Sequence, residues 1–120
     1  MTQAFTTSAK PVTYYVDSPI VRQLCEVFGD YLQSLPKYEK FNILMLVGAL
    51  GHHDADPTFE QYWGDYNVEA ACEDHAIFID WHEEYPIPLK QVLDQMSAEE
   101  LLGLVEFLAV DLRTTKPVDR

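Results

Sequence analysis

The sequence predicts a mostly α domain, a compact bundle of about five helices. Three observations carry the prediction. Apolar residues recur at helical spacing in several separate stretches, helix-start signals precede them, and prolines or glycines punctuate them. A hydrophobic fraction of 48% and an aromatic fraction of 12% over 120 residues suit a globular chain with one core. The organisation expected is a flexible N-terminal tail over residues 1–12, a single helical domain over 13–114 and a C-terminal tail over 115–120.

The N-terminal stretch is rich in Thr and Ser and weakly patterned. Residues 13–16 read as a short extended segment. Ser18 then caps a helix with Pro19 at its first position. Ile20, Val21, Leu24, Cys25, Phe28, Tyr31, Leu32 and Leu35 give that helix one apolar face, which Pro36 ends. A second helix over residues 38–50 is apolar nearly all round and belongs in the centre of the fold, with Gly51 as its stop. Residues 52–56 read as a polar loop, and Asp56-Pro57 as the start of a short helix through Trp63.

Asn67 caps the next helix. Val68, Ala71, Cys72, His75, Ile79 and His82 fall on one stripe, which predicts a helix continuing to His82. The alternative is an α+β fold, because residues 76–82 also alternate as a short strand. Pro86 and Pro88 break the chain before a short helix over residues 89–96. Ser97 and Glu100 form a capping box for the last helix, residues 98–112, whose polar stripe is narrow. That helix is either a second central one or has one face against a partner.

Charge is unevenly placed. The formal net charge is −12, yet residues 1–50 hold four basic and four acidic groups, and residues 101–120 hold three of each. Residues 51–100 hold thirteen acids and one lysine, Lys90. No Lys or Arg occurs from 41 through 89, and all four histidines, His52, His53, His75 and His82, fall inside that stretch. Glu69 and Glu73 are a like pair four apart, which a helix normally avoids or relieves with lysine. Helix stability is given up for a negative field, and such a field attracts basic surfaces.

Aromatic residues lie among these acids, and rings give an interface contact area while carboxylates select sign. The expected docking residues are Asp54, Asp56, Glu60, Tyr62, Trp63, Asp65, Tyr66, Glu69, Glu73 and Asp74. The functional expectation is a non-enzymatic interaction or regulatory protein that docks on a basic protein surface: an inhibitor, an adaptor or a nucleic-acid mimic. Direct nucleic-acid binding is disfavoured because an acidic chain repels phosphate, and no glycine-rich phosphate loop is present.

The alternative is a calcium protein with no resident organic cofactor. Asp54, Asp56, Thr58, Glu60, Tyr62 and Asp65 stand at positions 1, 3, 5, 7, 9 and 12 of a calcium loop. Phe59 replaces the glycine that loop needs at position 6, so an EF-hand fails. A different site built from Asp54, Asp56, Glu60 and Asp65 stays open. Cys72 with His75, joined by His52 or His53, lacks the paired spacing of a zinc site. A small enzyme combining carboxylates with a histidine is a further alternative, without a spacing that suggests it. Cys25 and Cys72 sit on apolar helix faces and read as inert packing. The chain has no run long enough for a membrane helix and no secretory signal at its start. It is therefore expected in the cytoplasm, with free thiols and no membrane partner.

Overall fold

The computed structural model describes residues 10–55, 66–79 and 87–114, and these form six helices with no strand among the described residues. The expected helical bundle is borne out. The helices are α1 (Val12–Tyr15), α2 (Pro19–Phe28), α3 (Lys37–Ala55), α4 (Val68–His75), α5 (Leu89–Asp94) and α6 (Ala98–Thr114). The long helices α3 and α6 pack on each other, as the reading of two central helices requires. Helix α4 lies on α3, α5 on α4, and α1 on both α6 and α2.

Residues 13–16 are not extended throughout. They belong to a single helical turn, α1, and only Val16 leaves it in an extended conformation. Val12 opens that turn fully buried, and its amide donates to the Asp30 carbonyl at 2.9 Å. Tyr15 meets Phe107 of α6 edge-on. Val16 then crosses Gly103 of α6 so closely that a Cβ at Gly103 would stand 2.6 Å from the Val16 Cβ. Glycine is required there by close approach.

The Ser18 hydroxyl caps α2 by accepting from the Val21 amide at 3.3 Å, and Pro19 sits in the first turn as expected. The helix ends at Phe28, well short of Leu35. Gly29 at φ +100° and Leu32 at φ +50° turn the chain out of the helix, while Leu32 and Leu35 still reach the core from the turn. Pro36 opens the next helix, its carbonyl accepting from the Glu39 and Lys40 amides.

Helix α3 is longer than expected. It passes through Gly51 and takes in residues 52–55, which corrects the polar loop read there. Its central role holds for one face only. Glu39, Lys40, Ile43, Leu46, Val47 and His53 are buried, whereas Tyr38, Phe41 and Met45 face outward. Lys40 Nζ donates to Asp111 Oδ2 of α6 at 2.8 Å, with both side chains largely covered. Glu39 Oε1 accepts from Asn42 Nδ2 at 2.8 Å, and the same amide donates to the Phe78 carbonyl at 3.2 Å.

Helix α4 begins as predicted, with Asn67 Oδ1 accepting from the Ala70 amide at 2.9 Å. It stops at His75. Ala76 is left-handed (φ +54°, ψ +44°), and the Ile77 amide closes back on the Cys72 carbonyl. The helix expected through His82 is thus corrected, and residues 77–79 form no strand either. The remainder of that stretch, like the short helix expected over residues 57–63, lies outside the described residues.

Helix α5 ends at Asp94 rather than Met96, and α6 runs two residues beyond the expected 112. The capping box of α6 is complete. Ser97 Oγ accepts from the Glu100 amide at 3.1 Å, and the Ser97 amide donates to Glu100 Oε1 at 2.8 Å. Ser18 also lies beside the Glu100 carboxylate and, with Ser97, lowers its pKa below the ordinary 4.5.

Candidate interaction site

The sequence placed ten acids between positions 54 and 84, and four of them are described: Asp54, Glu69, Glu73 and Asp74. All four are exposed. Asp54 stands in the last turn of α3, and the other three on α4. The remaining expected docking residues, Asp56, Glu60, Tyr62, Trp63 and Asp65, lie outside the described residues.

Two of the four carboxylates are engaged within the chain. Glu69 Oε1 lies 3.2 Å from Lys90 Nζ, so the like-charge strain between Glu69 and Glu73 is relieved by a lysine from α5. Asp74 Oδ2 accepts from the Tyr66 hydroxyl at 2.9 Å. Burial, followed by that hydrogen bond to an anion, pushes the Tyr66 phenol up to about 12. The Tyr66 ring stacks on the buried His53 ring, with centroids 3.9 Å apart and planes at 1°. Tyr66 is therefore half built into the fold, and it bridges the α3 terminus to α4.

Beside Tyr66 opens a groove of about 460 Å³, bounded by the end of α3, the start of α4, α5 and the start of α6. Its walls are apolar, formed by Leu50, Leu93, Met96, Leu101 and Leu102, and its polar residues are Asp54, Tyr66, Asn67 and Asp94. No Lys or Arg lines it among the described residues. Asp94 closes α5 and caps α4, its Oδ1 accepting from the Val68 amide at 3.0 Å. Asp94 and Asp54 line the same groove through the packing of α5 on α4 and of α4 on α3, which no local spacing signals. A volume of this size suits one or two large side chains of a ligand or partner. Two carboxylates over apolar walls favour an amphipathic cation, whose stem can be buried while its charge meets an acid.

Other chemistry finds less support. Among the described residues no three His, Cys, Asp or Glu side chains gather as metal ligands. Of the calcium set only Asp54 is described. Cys72 and His53 are buried, while exposed His52 and His75 both line a second groove of about 390 Å³, so the four residues weighed for zinc are split between core and surface. Burial pushes the Cys25 and Cys72 thiols up, leaving them protonated and poorly nucleophilic, which fits the packing role read from the sequence. No helix among the described residues is long and apolar enough to cross a membrane.

Fold and site together define a mostly helical domain with an acid-lined apolar groove. Comparison with protein-family models, with curated proteins and with solved structures yields no match.

Proposed function

We propose that the chain is a non-enzymatic interaction protein that docks on a basic protein surface through its acidic middle segment. The observation that carries the reading is the groove beside Tyr66, where Asp54 and Asp94 flank apolar walls with no lining cation among the described residues. The groove supplies contact area for an apolar stem, and its carboxylates select a Lys or Arg head. Around it, the concentration of thirteen acids against one lysine over residues 51–100 extends the negative field that steers a basic partner to the site. An inhibitor or adaptor role in the cytoplasm fits this chemistry.

The test is capture from an extract of the native host at low and at high ionic strength, with the unmodified chain beside Asp54→Lys and Glu73→Lys. Both positions are exposed, so the fold tolerates the changes. The partner is expected to be basic, to be released by salt, and to be lost first from Asp54→Lys. Capture indifferent to ionic strength and to both substitutions rejects the reading.

A further inference from the structure

The lining of the groove beside Tyr66 has already committed much of its hydrogen-bonding capacity within the chain. The Tyr66 hydroxyl donates to Asp74 Oδ2 at 2.9 Å, and Asn67 Oδ1 accepts from the Ala70 amide at 2.9 Å. Asp94 Oδ1 accepts from the Val68 amide at 3.0 Å. The charged oxygens that remain are Asp94 Oδ2 and the carboxylate of exposed Asp54. Between them the walls are aliphatic. Leu50, Leu93, Leu101 and Leu102 supply branched hydrocarbon, and Leu102, 63% exposed, has most of its side chain in water.

Resting on the reading of this groove as a cation site, we infer that the head it selects is a primary ammonium on an aliphatic stem, the lysine side chain, in preference to the guanidinium of arginine. Three features separate the two cations. The first is the half-committed carboxylate of Asp94. A guanidinium makes its best pairing as a planar fork, with two parallel N–H groups on the two oxygens of one carboxylate. At Asp94 such a fork must share Oδ1 with the Val68 amide, which weakens the cap of α4. An ammonium asks only for single oxygens, and its three donors diverge, so it takes Asp94 Oδ2 while α4 stays capped. A fork on Asp54 alone leaves the Asp94 charge unmatched.

The second feature is the aromatic surface. Arginine gains over lysine by stacking its plane on a ring. Tyr66 is the aromatic residue lining the groove among the described residues, and one face of its ring is stacked on His53 at 3.9 Å. The third is the stem. The four methylenes of lysine lie along leucine walls as hydrocarbon while the head reaches the acids. Arginine has one methylene fewer and a wider polar group to place between the same walls. Asp94 is thus the specificity-determining residue of the groove: one oxygen holds α4 and the other reads the cation.

Titration of the full chain at low ionic strength with n-hexylammonium and with n-hexylguanidinium, followed by the NMR shifts of the Leu101 and Leu102 methyls, tests this, with n-hexanol as the uncharged stem. The ammonium is expected to bind about threefold or more tightly than the guanidinium. Asp94→Asn keeps an oxygen to cap α4 and deletes the charge. It is expected to leave the circular-dichroism spectrum unchanged, to weaken n-hexylammonium about threefold and to bring the two cations level. Asp54→Asn removes the carboxylate able to take a whole fork and is expected to widen the preference for ammonium, a readout that stands even if Asp94→Asn does not fold. A guanidinium bound as tightly as the ammonium overturns the lysine preference and leaves the groove a cation site. An Asp94→Asn chain that folds and binds both cations as before overturns the role of Asp94. If neither cation binds, or n-hexanol binds as tightly as either, the cation reading itself is rejected.

Discussion

The two faces of α3 invert the usual division of side chains. The inward face carries Glu39, Lys40 and His53 among Ile43, Leu46 and Val47, and the outward face carries Tyr38, Phe41 and Met45. Charges are tolerated inside because they are partnered there: Lys40 by Asp111 and Glu39 by Asn42. The outward apolar residues are half exposed, and among the described residues the Phe78 backbone is tied beside them through Asn42. The difference teaches that a helix apolar all round need not be surrounded by its own chain. It can be a core helix on one side and stay half exposed on the other.

The sharpest way to break the inward face is Asp111→Ala. It strands the Lys40 ammonium in a largely covered position and is expected to lower unfolding free energy by about 3 kcal/mol in urea titration. Replacing the pair together, Lys40→Met with Asp111→Leu, should recover most of that loss, since matched apolar residues replace such pairs without penalty. Next comes a direct comparison of faces. Ile43→Ala, at a fully buried position, is expected to cost about 2 kcal/mol or more. Phe41→Ala, at a half-exposed position, should change stability by no more than about 0.5 kcal/mol. Equal losses from the two would abolish the distinction between the faces.

Gly48→Ala sharpens the contrast from the outward side. With nothing near the added methyl, the chain should gain up to about 1 kcal/mol from helix propensity, read as a raised Tm. The smallest effect concerns acid. Glu100 has its pKa lowered by the Ser18 and Ser97 hydrogen bonds, so its carboxylate is favoured in the folded chain. Its contribution is complete above the ordinary value of 4.5 and is lost as pH falls through the lowered one. In Glu100→Gln the acid limb of the stability profile should flatten slightly.

Features set by neighbours in sequence were legible. Ser18, Asn67 and the Ser97–Glu100 box act within one turn, and each cap forms where the residues predicted it. Helix ends were harder, because backbone geometry can override propensity. Gly51, read as a stop, is carried inside α3, whereas Ala76, an excellent helix former, takes the left-handed conformation that ends α4. Nothing in α3 alone reveals which of its apolar faces is covered, since that depends on α6 and α4. The Lys40–Asp111 pair spans 71 positions, and Asp94 reaches Val68 across 26. Contacts at such separation leave no local spacing to read. The excess of acid over residues 51–100 was visible, but its partial relief by Lys90 was not.

The contact of Val16 with Gly103 has a bearing on alignment. Only a residue without a side chain fits beneath that valine, and the residues three or four away on the same face of α6 all carry large side chains. Sliding α1 along α6 by one turn would bring Glu99 or Glu100, or Glu106 or Phe107, beneath the valine in place of the glycine. The glycine therefore works as a keyway, admitting one seating of α1 and α2 against α6 and refusing the adjacent ones.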